Sequence, residues 1–165
     1  MTVIVVMGVA GSGKTTVGQA LATELGLEYA DADSFHPASN IAKMSAGTPL
    51  DDADRAPWLH AIADWIHARQ DVGGVVSSSA LKRAYRAVLS SDNDVWFLYF
   101  TGPASVIAER IRARADHFMP VSLLDSQLSG LEPLGPDERG WTADLRRPPP
   151  QIVRLARKEF DSRAG

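Results

Sequence analysis

The chain has 165 residues, a formal net charge of -3 at pH 7 and no cysteine. That length suits one domain, 1–165, with a core of its own. Disulfides and thiolate metal sites are excluded, the acidic balance argues against a nucleic-acid partner, and no stretch is long and apolar enough to span a bilayer. A cytoplasmic protein without a membrane partner is the expectation.

The first predicted element is a strand, Val3-Ile4-Val5-Val6-Met7, apolar and β-branched as buried parallel strands are. It runs into Gly8-Val9-Ala10-Gly11-Ser12-Gly13-Lys14-Thr15, which matches the phosphate-binding loop G-x-x-x-x-G-K-[ST]. A helical pattern follows, with Val17, Leu21 and Leu25 four residues apart. Glycines let such a loop turn its backbone N–H groups inward around a phosphate, and the following helix N-terminus adds partial positive charge. Lys14 can reach the β- and γ-phosphates and the Thr15 hydroxyl can ligate Mg²⁺, so the loop predicts a nucleoside triphosphate with Mg²⁺. A dinucleotide site fits less well: the glycine order is not G-x-G-x-x-G, and such a loop has no use for Lys14-Thr15.

A second strand is predicted around Leu27 to Ala30, ending at Asp31-Ala32-Asp33. Ser34 is expected to cap the next helix, with Pro37 in its first turn and Gly47 near its end. A helix over roughly Ala53 to Arg69 carries Trp58, Ile62, Trp65 and Ile66 on one face. Gly73-Gly74 leads into a strand, Val75 to Ser78, and Leu81 to Leu89 reads as a helix. Val95 to Phe100 is a further strand, and Pro103 starts a helix carrying Val106, Ile107 and Ile111. A polar stretch from Arg114 to Pro120 is followed by a helix near Ser122 to Leu128. Trp141 to Leu145 is the last strand, and Pro148-Pro149-Pro150 opens a helix with Ile152, Val153, Ala156 and Phe160 inward. The alternation predicts an α/β fold with a mainly parallel sheet, and the polar stretch a short lid near 112–122. In such sheets ligands sit beyond the carboxyl ends of the strands. The phosphate loop, Asp31-Ala32-Asp33, Ser77 to Lys82 and Thr101-Gly102 should therefore converge on one cleft.

Asp31 and Asp33 leave the second strand one residue apart, so alternation would point both to the same face. One carboxylate can orient a phosphoryl acceptor and take its proton, while the other, Asp31, holds a water on Mg²⁺. The competing reading is turn and cap chemistry. Lys82 and Arg86 stand one helical turn apart and could grip one anionic acceptor, whereas Arg83 reads as a solvated helix residue. Arg110 and Arg114 repeat that spacing at the edge of the expected lid, where they would neutralise a transferring phosphate; a solvated helix face is the alternative. His36 and His117 have no second ligand at metal spacing, which excludes a zinc site. Trp58, Trp65, Phe97 and Tyr99 read as core, and Asp51 to Arg55 as a helix cap with solvated neighbours.

The sequence resembles the gluconate kinases of the shikimate kinase-like group. The resemblance rests on Met7 to Thr16, on Asp31-Ala-Asp-Ser-Phe-His-Pro-Ala-Ser-Asn-Ile-Ala-Lys-Met44, on Gly47 to Arg55 and on Pro57-Trp-Leu59. It continues in Ser79-Ala-Leu-Lys-Arg-Ala-Tyr-Arg86, in His117-Phe-Met-Pro120 and on through Ser126-Gln127 to Leu131-Glu-Pro133, covering roughly residues 1 to 138. It implies an ATP-dependent kinase acting on gluconate, with the three-layer α/β/α fold of the P-loop nucleoside-kinase-like kind. The nucleotide would lie on Gly8, Gly11, Ser12, Gly13, Lys14, Thr15 and Thr16. Asp33 would orient and deprotonate the acceptor hydroxyl, and Asp31 would help place Mg²⁺ through water. His36, Arg55, Lys82 and Arg86 would join Asp33 in binding the acceptor. Lys14, Arg110 and Arg114 would stabilise the transferring phosphate. A homodimer is implied as well. Another small-molecule kinase of the same fold, using shikimate or another sugar acid, and a non-catalytic nucleotide sensor are the alternatives. Two departures are visible: Ser78 stands where the family usually has cysteine, and the tail after Arg139, with Arg146-Arg147-Pro148-Pro149-Pro150, is unusual.

Overall fold

The computed structural model describes residues 1–9, 12–79, 82–113 and 131–163. Its elements in chain order are β1 (Val3–Met7), α1 (Lys14–Leu25), β2 (Tyr29–Asp31), a 3-10 turn (Ala32–Phe35), α2 (Ala38–Ser45) and α3 (Asp52–His67). They continue with β3 (Gly74–Ser78), α4 (Arg83–Ser90), β4 (Val95–Thr101), α5 (Ala104–Ala113), β5 (Gly140–Asp144) and α6 (Pro149–Ser162). The strands form one parallel sheet in the order β2-β3-β1-β4-β5. The lid expected near 112–122 falls mostly, and the helix expected near Ser122 to Leu128 entirely, outside the described residues. Among the described residues no helix is long and apolar enough to cross a membrane.

β1 explains the layering. Its side chains alternate between faces, and neither face meets water. Ile4 and Val6 pack with Val17 and Leu21 of α1 and with Ile152, Val153 and Ala156 of α6. Val3, Val5 and Met7 pack with Trp58, Ile62 and Ile66 of α3 and Leu89 of α4. Helices thus cover both faces, as three-layer packing requires. The predicted inward set of the last helix is buried at all four positions.

Helix starts differ from expectation where short polar side chains found nearer partners. Ser34 does not cap α2: it lies in the 3-10 turn and donates its hydroxyl to the Asp31 carbonyl at 2.7 Å. Pro37 occupies that N-cap instead, without a side-chain bond. α3 begins at Asp52 behind a capping box. Asp51 Oδ1 accepts from the Asp54 N–H at 2.7 Å, and Asp54 Oδ2 accepts from the Asp51 N–H at 3.0 Å.

Candidate active site

The phosphate loop leaves β1 at the carboxyl edge of the sheet and turns directly into α1. Gly13 is the N-cap of α1, with φ of 95°, a left-handed conformation that side chains other than glycine rarely adopt. Among the described residues no side chain caps this helix start, which leaves its first-turn N–H groups without a capping bond. Ser12 Oγ is buried without a hydrogen-bond partner among the described residues, and a Cβ at Gly8 would approach it to 2.8 Å. Lys14 is buried at the first helical position.

Two neighbouring strands brace that first turn. Ser77 of β3 donates its hydroxyl to the Lys14 carbonyl at 3.3 Å and accepts from the Tyr29 hydroxyl of β2 at 2.8 Å. The Tyr29 hydroxyl also engages Thr15. Thr15 is half-buried and Thr16 exposed. From α5, Arg110 donates to the Ser12 carbonyl at 3.2 Å and to the Leu145 carbonyl at 2.8 Å, so its guanidinium lies against the loop. Gly11 and Arg114 lie outside the described residues.

The acidic pair is arranged differently from a continued strand. β2 stops at Asp31, and Asp33 sits in the 3-10 turn, half-buried. Asp31 Oδ1 accepts from the Asp33 N–H at 2.9 Å and caps that turn, so strand alternation does not set the two side chains. Burial pushes the Asp31 carboxyl above its ordinary range, the Asp33 N–H opposes this, and the Lys14 ammonium pulls in the same lowering direction. Asp31 is therefore within electrostatic reach of the phosphate-loop lysine.

On the far side of the turn His36 is buried and lies flat on Trp58, with ring centroids 4.4 Å apart and planes 8° from parallel. Trp58 Nε1 donates to the Ala32 carbonyl at 2.7 Å, which fixes this platform to the backbone between the two aspartates. Burial, and then the nearby Arg55 cation, lower the His36 imidazole to about 4, so the ring is neutral at pH 7. Arg55 of α3 donates to the Tyr85 hydroxyl at 3.1 Å, and Tyr85 donates in turn to the Asp52 carboxylate. Lys82 is the N-cap residue of α4, 3.5 Å from Asp52 and 5.5 Å from the Tyr85 ring centre. Tyr85 is thus the joint between the two cations, Arg55 and Lys82.

Lys82 is only the N-cap of α4, and Arg86 lies one turn into that helix. Its side chain is buried, and Nε and Nη2 lie 2.6 and 2.7 Å from the two oxygens of Glu138. Nη1 and Nη2 also donate to the carbonyls of Glu132 and Pro133. A two-pronged cationic grip from Lys82 and Arg86 is not formed here. Arg86 instead ties α4 to the segment before β5. Arg83, expected as a solvated residue, is exposed and pairs with Asp137.

Sequence reasoning missed Tyr85, Asn40, the Tyr29–Ser77 brace and the second role of Trp58 as a stacking platform. Asn40, Trp58 and Tyr85 lie inside the sequence runs that carry the family resemblance, so a signal was present without a contact to interpret it.

The residues suit a triphosphate with a divalent cation. The glycine-led helix start, the Ser12 hydroxyl, which has no hydrogen-bond partner among the described residues, and Lys14 have the chemistry to hold phosphate oxygens. Among the described residues no three His, Asp or Glu side chains cluster as a ready metal site. Thr15, and Asp31 through a water, are the residues that could hold such a cation.

The shikimate kinase family model matches residues 10–128. The gluconokinase of Gluconobacter oxydans is 48% identical over 138 residues, covering 82% of this chain and 78% of that one. The structure of an unliganded sugar kinase from a Janibacter species superposes with a TM-score of 0.93 at 50% identity, over 99% of this chain and 97% of the other. A gluconokinase structure from Sinorhizobium meliloti superposes with a TM-score of 0.81 at 42% identity, over 98% and 97%. Kinases of this fold work on ATP with a divalent metal ion. A shared phosphate loop, the same sheet and identity sustained across most of the chain agree with one another, and the chain belongs to the gluconokinase family of shikimate kinase-like P-loop kinases.

Proposed function

We propose that the protein transfers the γ-phosphoryl group of ATP to the terminal hydroxyl of D-gluconate, giving 6-phospho-D-gluconate. The observation that carries this reading is the short 3-10 turn after β2. It joins Asp31, which feels Lys14, to His36, which feels Arg55, and Asp33 lies between them. A phosphate end and an acceptor end are thereby connected across four residues of backbone. The relatives named gluconokinase support gluconate as the acceptor.

The chain's own residues would act mainly by alignment and charge. Lys14 and Arg110 would neutralise the transferring phosphate, with Arg114 and a lid near 112–122 completing that side. Gly8, Gly11, Ser12, Gly13, Thr15 and Thr16 would cradle the triphosphate. Asp33 would hold the acceptor hydroxyl in line and take its proton as the new P–O bond forms. His36, Arg55 and Lys82 would bind the sugar acid, and Arg86 would act from behind by fixing α4. Thr15, and Asp31 through a water, would hold a magnesium ion, whose charge would help neutralise the phosphates. A homodimer accompanies this reading on the family resemblance, and a single domain over 1–165 and a cytoplasmic location belong to the same proposal.

Purified protein assayed with ATP, Mg²⁺ and gluconate should yield 6-phosphogluconate, detected by coupling to a dehydrogenase. Turnover with shikimate or another sugar acid but none with gluconate would reject the acceptor. Ligand-dependent closure with no transfer to any acceptor would replace the kinase with a nucleotide sensor.

A further inference from the structure

We infer that Asn40 is a positioning residue that holds His36 as the Nε2–H tautomer, so that His36 meets the acceptor as a hydrogen-bond donor and not as a base. The inference rests on the gluconate site proposed above, but its first step stands on geometry alone. Asn40 is buried, and its side-chain nitrogen donates to the Asp54 backbone carbonyl at 2.8 Å. That contact fixes the amide orientation, because a carbonyl oxygen accepts and the opposite orientation would set two acceptors against each other. The same nitrogen lies 3.2 Å from His36 Nδ1. An amide nitrogen only donates, so Nδ1 must present its lone pair, and the proton of the neutral ring resides on Nε2.

The surroundings hold this arrangement. Turning the ring over would replace the Nδ1 acceptor with a C–H against the same amide. Stacking on Trp58, itself pinned to the Ala32 carbonyl, fixes the ring plane. Nε2 bonds to no described residue, which leaves its N–H for a ligand. A hydroxyl or carboxylate oxygen of a polyhydroxy acid accepts from that N–H. With its proton on Nε2, that nitrogen has no lone pair to take another from the reacting hydroxyl, and the ring's one lone pair, on Nδ1, faces the Asn40 amide, so the base role is left to Asp33. Asn40 touches no reacting atom in this account and acts only through His36.

Long-range ¹H–¹⁵N NMR on the labelled full chain reads the tautomer directly, with the His36 signals identified by their absence in His36→Gln. The wild-type protein should show a protonated Nε2 and a bare Nδ1, whatever its substrate. Asn40→Asp presents a carboxylate that accepts from the ring, and it should move the proton onto Nδ1. In that variant KM for gluconate should rise about tenfold while KM for ATP stays within about twofold. A protonated Nδ1 in the wild-type protein overturns the inference without need of any variant. An Asn40→Asp protein with unaltered tautomer and unaltered gluconate KM overturns it as well. A bare Nδ1 in a protein that phosphorylates a different acceptor would reject gluconate but keep the Asn40 role, with the KM change then read on that acceptor.

Discussion

Arg86 closes a two-pronged ion pair on Glu138, with Nε and Nη2 at 2.6 and 2.7 Å from its two oxygens, and only 1% of the arginine side chain is exposed. Charge-assisted bidentate geometry of this kind is strong, and Arg86 adds the carbonyls of Glu132 and Pro133 to it. Removing one partner leaves the other charge in a poorly hydrated place. Arg86→Ala should therefore destabilise the protein by about 3–5 kcal/mol. Replacing both residues with apolar side chains of similar volume should cost far less, since no orphan charge remains. Urea unfolding of the two variants measures this. An Arg86→Ala protein of normal stability whose only defect is a raised gluconate KM would return Arg86 to the acceptor set.

Lys82 offers the opposite profile. Its ammonium is partly exposed, and its partner Asp52 is more so. Exposed pairs of this kind contribute about 0–1 kcal/mol. Lys82→Ala should leave the urea midpoint nearly unchanged while raising the gluconate KM about tenfold and sparing ATP affinity. Steady-state kinetics with each substrate varied separately decides the matter. A dominant change in ATP affinity would put Lys82 on the wrong ligand.

The contrast between these two residues shows what the sequence could and could not reveal. β1, the phosphate loop and α1 were legible because their constraints are local: a buried strand, a glycine at positive φ and a lysine in the first turn are adjacent in the chain. The inner face of α6 was legible from periodicity alone. The ion pair of Arg86 was not legible because the carboxylate that binds it lies 52 positions away, and no local pattern distinguishes a buried pair from a ligand grip. The aspartates were misread geometrically because Asp31 bonds the Asp33 N–H and stops the strand. His36 looked like a lone histidine because its platform, Trp58, comes from another helix.

Substitutions at the phosphate end separate positioning from chemistry. Lys14→Ala should abolish detectable transfer, because the lysine charge is needed most as charge moves onto the bridging oxygen. Asp33→Asn keeps a similar shape but cannot take a proton. It should lower kcat by roughly 10²–10⁴ with ATP binding nearly intact. Rapid-quench transfer rates and nucleotide titration together test the pair. Near-normal kcat in Asp33→Asn would sink the base and orienting role.

Gly140 links the sheet edge to the same site. Its Cα pairs with Phe97, and a Cβ there would lie 2.2 Å from the Phe97 carbonyl oxygen, a backbone atom that cannot swing aside. Gly140→Ala should force β5 off β4 and cost about 1–3 kcal/mol. Because Leu145, just past β5, accepts from Arg110, the displacement should also slow transfer. Thermal unfolding and kcat should fall together in this variant. A fully stable Gly140→Ala protein would show that the edge strand is not so tightly seated.

His36 gives the protein a specific acid sensitivity. In the unfolded chain its imidazole titrates near 6.5, whereas burial and Arg55 lower it to about 4 in the folded protein. Between those values the unfolded state binds the extra proton, so the free energy of unfolding falls as pH falls. The contribution is complete above about pH 6.5 and is lost by about pH 4, and the interval corresponds to roughly 3 kcal/mol. The residue is 9% exposed, which limits solvent screening of that figure. Carboxylates titrate in the same range, which makes the wild-type curve alone uninformative. His36→Gln removes the imidazole and leaves the carboxylates in place. Between pH 7 and pH 4 the wild-type protein should therefore lose roughly 3 kcal/mol more than His36→Gln does, as measured by urea unfolding at each pH. Parallel pH profiles for the two proteins would mean that the ring takes its proton as easily on Trp58 as it does in water.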